Sequence, residues 1–217
     1  METFFEIFLH LDIYLNKWLL VLGPSIYILL FVIIFCETGL VVIPFLPGDS
    51  LLFATGTLCA TDNAVLKLVP VILTLSAAAM LGDAVNYAIG HYVGPKVFYK
   101  EGGRWLNRNH LLATEAFYER HGGKTIFLAR FFPIFRTFAP FVAGIGQMQY
   151  KRFFLFNISG GISWVLLFVC LGYYFANIPI VKQHFEVVIL SIIIASCMPI
   201  IYRTVKSYLN KPRTNTL

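Results

Sequence analysis

Charge is scarce in this sequence. Of 217 residues only 13% are Asp, Glu, Lys or Arg, about half the ~25% of an ordinary soluble domain. With 58% hydrophobic residues and a mean hydropathy of +0.75, this excludes a soluble globular protein and points to an integral membrane protein. Cysteine is equally sparse. Cys36, Cys59, Cys170 and Cys197 all lie inside apolar runs without metal-ligand spacing, so they are expected to be small buried hydrophobes. His10, His91, His110, His121 and His184 show no metal spacing either. No metal or cofactor is therefore expected. The N-terminus, METFFEIF, lacks the basic residues of a secretory signal, and no cleavage is expected.

Motifs for catalysis are missing too. HGGKT at 121–125 resembles the end of a phosphate-binding loop, but the first glycine that loop requires falls on Tyr118. GIGQMQ at 144–149 lacks the last glycine of a dinucleotide fingerprint and follows no soluble strand. The paired basic and histidine motifs of lipid phosphatases do not occur. The sequon at Asn157 falls inside an expected span and is a chance match. The sequence is not expected to encode an enzyme.

Apolar runs are what it has instead, at about Leu19–Cys36, Leu40–Ala60, Val65–Gly90, Ile126–Gly146, Phe153–Ile180 and Val187–Tyr202. Each is near the ~20 residues of a spanning helix. The net charge of +6 is topological and does not imply nucleic acid. Twelve of the seventeen cations fall between the same few runs, at Lys96, Lys100, Arg104, Arg108, Arg120, Lys124, Lys151, Arg152, Arg203, Lys206, Lys211 and Arg213. The positive-inside rule makes those segments cytoplasmic, and both termini with them. Lys67 and Lys182 then face the other side.

This orientation leaves two runs that cannot cross. Residues 44–60 begin and end on the far side, and residues 126–146 begin and end on the cytoplasmic side. Both are expected to be re-entrant hairpins, the first turning at Pro47 and Gly48 before a short helix that begins at Leu51, capped by Asp49 or Ser50. Two broken segments entering from opposite faces form an inverted repeat, the arrangement in which transporters place a site near the membrane midplane. The fold class is thus all-α and polytopic. Residues 1–20 are expected to form an amphipathic interfacial helix and 21–202 a single membrane domain. Its cytoplasmic connection, about 96–124, should include an amphipathic helix that stops at Gly122. Residues 203–217 form a basic cytoplasmic tail.

Glu37, Asp49, Arg130 and Arg136 lie within these apolar stretches, where a charge facing lipid is prohibitive and a charge facing a shared polar cavity is functional by default. Asp83, in MLGDAVNYAIG, is a further candidate to line that cavity. Pro44, Pro47, Gly48, Pro133 and Pro140 are assigned to shaping the backbone. Structural alternatives stand beside these assignments. Arg130 and Glu37 could be a pair that only joins the repeats, and Asp49 could be only a helix cap.

The combination of ETGLVVIPFLPGDSLL, GDAVNYAIG and FLARFFPIFRTFAPFVAGIGQMQYKRFFLFNISGGISW resembles the DedA family of bacterial inner-membrane proteins, related to eukaryotic lipid scramblases. The resemblance covers about residues 25–178. It implies a multi-pass inner-membrane protein with two opposed re-entrant elements, linked to recycling of undecaprenyl phosphate and to proton-dependent stress tolerance. Its functionally required residues match Glu37, Asp49, Arg130 and Arg136. The expected partners are the bilayer, an anionic polyprenyl phosphate or phospholipid, and protons; homo-oligomerisation is left open. Arginines suit phosphate because their planar donor fork stays charged when buried, whereas Glu37 and Asp49 can titrate and couple transport to protons. Two other readings remain: a scramblase-like or structural membrane organiser, and a proton-driven exporter of a small solute.

Overall fold

The computed structural model describes residues 11–40, 48–61, 65–98, 120, 122–178, 187–188 and 191. Among these the regular secondary structure is helical, with no strand. The elements are α1 (Leu11–Leu22), a short turn of 3-10 helix (Gly23–Ser25), α2 (Ile26–Gly39), α3 (Gly48–Cys59), α4 (Leu68–Phe98), α5 (122–129), α6 (Pro133–Ile145) and α7 (Tyr150–Phe175). Pro44, Pro47, the tail 203–217, residues 1–10 and most of the 96–124 connection lie outside the described residues.

Among the described residues the same order of elements occurs twice: helix, break, short helix, connection, long helix. In the first half these are α2, α3 and α4, and in the second α5, α6 and α7. The long members carry apolar stretches of 27 residues (Leu68–Gly94) and 26 residues (Tyr150–Phe175). At ~1.5 Å per residue each is about 40 Å long, enough to cross a hydrocarbon core about 30 Å thick. The 14 residues of α2 and 13 of α6 are not.

The halves exchange partners. The short helix α3 packs on α7, and α6 packs on α4. Glycine makes both seams close. A Cβ placed on Gly56 would lie 2.2 Å from the Val169 carbonyl oxygen, and one on Gly172 would lie 2.0 Å from that of Phe53. In the other seam Gly90 would meet the Phe141 carbonyl oxygen and Gly144 that of Tyr87, both at 2.1 Å. Helices in lipid gain little from hiding apolar surface from each other, so close backbone approach at small residues is what joins them.

Burial is reversed relative to a soluble protein. Val69, Leu73, Leu155 and Tyr174 are 65–75% exposed along the outer faces of α4 and α7, while the charged residues of the apolar runs are inside. Two apolar clusters flank that charged layer. One gathers Leu15, Leu30, Ile34, Leu52, Leu75, Trp164 and Val169; the other gathers Tyr87, Ile126, Ala143, Met148 and Phe153. Asp83 on α4 and Asn157 on α7 lie in sequence between the residues of the two clusters, and Asp83 is midway along its helix.

Several boundaries differ from the sequence-based expectation. The helix after the first break starts at Gly48 rather than Leu51, so Asp49 lies inside its first turn. Gly122 does not end a helix; 122–129 is helical, and Gly123 instead accommodates the Phe156 ring, whose Cε2 would lie 2.1 Å from an added Cβ. The second break falls at 130–132, with Pro133 opening α6 and Pro140 inside it. Pro at the first helical position sacrifices no hydrogen bond, which is why the chain restarts there. Within α6, Pro140 leaves the Arg136 carbonyl without its usual helical donor. The helix α4 continues past Gly90 to Phe98, into the expected loop. Finally, α1 is not solely an interfacial helix: Leu15 is fully buried, packed in the core with Trp18 and Leu19 at its edge.

Candidate functional site

The two chain breaks bring five charged side chains together. Glu37 lies in the last turn of α2, Asp49 in the first turn of α3, Asp83 midway along α4, Arg130 at the break after α5 and Arg136 in α6. Their exposures are 1%, 7%, 2%, 3% and 5%, in that order. The dipole of its own helix favours Asp49 at an N-terminus and disfavours Glu37 near a C-terminus. Glu37 is compensated from outside its helix.

That compensation comes from Arg136. Its Nη2 donates to Glu37 Oε1, and its Nη1 donates to Asp49 Oδ1 at 2.6 Å. Glu37 Oε1 also accepts the Gly48 backbone N–H at 3.2 Å. A Cβ at Gly48 would lie 2.0 Å from Glu37 Oε2, so only glycine lets this carboxylate reach the start of α3. Arg136 therefore joins α2, α3 and α6 across the two halves of the chain.

Arg130 forms a second node. Its Nη1 donates to Asp83 Oδ2 and, at 2.8 Å, to Asn157 Oδ1. Asn157 Nδ2 donates in turn to the Met80 carbonyl at 3.0 Å, which fixes the amide between α4 and α7. The structural alternative that paired Arg130 with Glu37 is not the arrangement formed: Arg136 takes Glu37, and Arg130 takes Asp83. Both Nε and Nη2 of Arg130 are buried without a hydrogen-bond partner among the described residues, an arrangement that costs about 1–3 kcal/mol per group.

Trp164 stands between the nodes. Its indole Nε1–H donates to Asp49 Oδ1 at 2.8 Å. Its ring lies 4.7 Å from the Arg136 guanidinium carbon and 5.7 Å from that of Arg130, within cation–π range of both. Asn86, one turn beyond Asp83, donates from Nδ2 to the Thr38 carbonyl at 3.0 Å and the Thr137 carbonyl at 2.7 Å. It thereby ties the end of α2 to α6.

All five charged residues singled out in the sequence thus meet in one buried site. Gly48, Pro133 and Pro140 shape the segments that carry them. Sequence reasoning missed Trp164, Asn157 and Asn86. Spacing held a signal for them: Asp83 and Asn86 are i, i+3, and Asn157 and Trp164 are i, i+7, so each pair shares a helix face. The five side chains comprise three carboxylates and two guanidinium groups. With every one ionised the site would carry one excess negative charge, and an uncompensated charge away from water costs several kcal/mol.

A chain that is helical among its described residues, with apolar outer faces and a buried charged layer beside the middle of α4, is built as an integral membrane protein with a polar interior site. The VTT domain matches residues 46–174. The chain is 47% identical over 194 residues to the protein DedA of Escherichia coli K12, covering 89% of each chain. It is 41% identical over 183 residues to an uncharacterized membrane protein of Mycobacterium leprae, covering 84% of this chain and 81% of that one. To the inner membrane protein YghB of Salmonella typhimurium it is 36% identical over 159 residues, covering 73% and 72%. The chain belongs to the DedA family of VTT-domain membrane proteins. No solved structure matches it.

Proposed function

We propose that this protein moves an anionic lipid of the undecaprenyl phosphate type across the bacterial inner membrane, driven by the proton gradient. In this reading residues 44–60 and 126–146 are re-entrant segments that enter from opposite faces, and both termini are cytoplasmic. The observation that carries the reading is the buried cluster of three carboxylates and two arginines beside the middle of α4, closed on the α7 side by Asn157 and Trp164. A phosphate headgroup is attracted by guanidinium groups, yet the site already holds one carboxylate more than it holds arginines. The headgroup can settle at low cost only when carboxylates take up protons, which couples lipid binding to protonation. Glu37 and Asp49, which share Arg136, are the groups that supply this coupling. The polyprenyl tail stays in lipid beside the protein.

The test is transport of a short-chain polyprenyl phosphate in liposomes, with and without an imposed pH gradient. Wild type should move the lipid at least about tenfold faster with the gradient. Glu37→Gln and Asp49→Asn should insert and fold but lose that acceleration. Movement at one rate with or without the gradient would instead identify a scramblase. No movement above protein-free liposomes would leave the charges as scaffold.

A further inference from the structure

We infer that the two arginines divide the work, and that the Nε/Nη2 edge of Arg130 is where an oxyanion docks, Arg136 being the fixed cross-link between the two halves of the chain. This inference rests on the transport reading for the identity of its ligand, a phosphate monoester headgroup, but not for the existence of the site.

The asymmetry is in the hydrogen bonds. Arg136 commits both terminal nitrogens, Nη1 to Asp49 and Nη2 to Glu37, and only Nε is without a partner among the described residues. Arg130 commits Nη1 alone, to Asp83 and Asn157 together. Its Nε and Nη2 are both buried and, among the described residues, unpartnered. These are the two nitrogens that point their hydrogens in parallel from one side of a guanidinium, the geometry that grips two oxygens of a phosphate or carboxylate. Asp83 holds the opposite nitrogen, so an oxyanion on the free edge would be separated from that carboxylate by the cation itself. Repulsion is thereby kept low.

Glycines flank this edge, which is closed off in this state and is reached by an oxyanion as the site opens. From Cδ to Nη2 the side chain of Arg130 runs past Gly160 and Gly161 of α7. A Cβ on Gly160 would lie 3.4 Å from Arg130 Cδ, and one on Gly161 would lie 3.4 Å from Nη2. Asn157, one turn earlier on the same helix, is the positioning residue that fixes Nη1 and so aims the free edge. Anchoring Nη1 on a neutral amide and a single carboxylate keeps the cation available to a third partner. Arg136, clamped by two carboxylates, is not available in the same way.

The experiment measures binding to purified protein in detergent with three probes: farnesyl phosphate, farnesol and inorganic phosphate. Three variants are compared with wild type. Arg130→Lys keeps a cation for Asp83 but has no forked edge, and should weaken farnesyl phosphate binding at least about thirtyfold. Gly161→Ala leaves every charge in place and adds a methyl 3.4 Å from Nη2 and 3.2 Å from Cγ of the flexible Met80 side chain, which can shift by a few tenths of an ångström; it should weaken binding about tenfold with its unfolding midpoint near that of wild type. Arg136→Lys should weaken binding less than about threefold while lowering the midpoint most. Equal losses in the two lysine variants, or a larger loss at Arg136, would overturn the division of labour, as would full binding by Gly161→Ala. The probes separate this inference from the transport reading. Binding of inorganic phosphate and farnesyl phosphate alike, with the same sensitivity to Arg130→Lys, supports the docking edge while removing the lipid from its definition. Binding of farnesyl phosphate alone supports both. Equal binding of farnesol would overturn the docking edge, because no oxyanion would then be needed.

Discussion

Arg130 and Arg136 lie on either side of the Pro133 that opens α6, and both are almost fully buried, but they are used differently. Arg136 is shared by two carboxylates from two helices of the other half of the chain, under the face of Trp164. Arg130 is held by one carboxylate and one neutral amide, with an edge left over. A fully compensated buried charge acts as a structural tie; an incompletely compensated one holds interaction energy in reserve for something else. Burial alone therefore does not tell the two arginines apart; the number of donors left without a partner among the described residues does.

The sharpest way to break this contrast is to remove each arginine outright. Arg136→Ala strands Glu37 and Asp49 in the interior and should cost about 5 kcal/mol, the upper end for breaking a buried pair. Arg130→Ala strands only Asp83 and should cost about 3 kcal/mol. Thermal unfolding of the purified proteins in one detergent gives the order directly; a reversed order would contradict the roles assigned here.

Neutralising the acids sharpens the same contrast. Asp83→Asn deprives Arg130 of the only carboxylate bonded to it among the described residues and should destabilise by about 3 kcal/mol. Glu37→Gln removes the excess negative charge while Asp49 still holds Arg136, so its unfolding midpoint should stay closer to wild type. The two seams offer a control away from the charges. Gly56→Ala in the α3–α7 seam and Gly144→Ala in the α4–α6 seam each force a methyl onto a carbonyl oxygen, and each should cost about 1–3 kcal/mol. Similar losses at the two positions would fit equivalent halves; a loss in only one seam would show that the halves do not bear equally on stability. The smallest effect is expected at Trp164→Phe, which keeps a ring over both arginines but loses the hydrogen bond to Asp49, at about 1–2 kcal/mol.

How far the sequence revealed this arrangement differs from residue to residue. Glu37, Asp49, Asp83, Arg130 and Arg136 were conspicuous because a charge inside an apolar run is costly unless something in the interior uses it. Their pairing was not. Whether Glu37 meets Arg130 or Arg136 depends on how α2 and α6 pack, and a short separation along a chain that breaks between the two arginines decides nothing by itself. The all-helical class followed from the apolar runs. The helix ends did not, because hydropathy marks what lipid tolerates rather than where backbone hydrogen bonding stops, so α4 runs on past Gly90. The second break lies just before Pro133, the residue that opens α6. Trp164 was hidden by being an ordinary residue in an apolar span, and its role is visible only through the three charged groups around it.

The central claim is that an anionic headgroup enters this site together with protons on its carboxylates. Net proton uptake on binding tests it most directly, from the binding heat of farnesyl phosphate in buffers of different ionisation enthalpy near pH 8. Wild type should take up about one proton per headgroup bound, with affinity rising as the pH falls, and Glu37→Gln and Asp49→Asn should take up measurably fewer. Binding with no proton uptake in wild type, or with the same uptake in both neutral variants, would contradict the account.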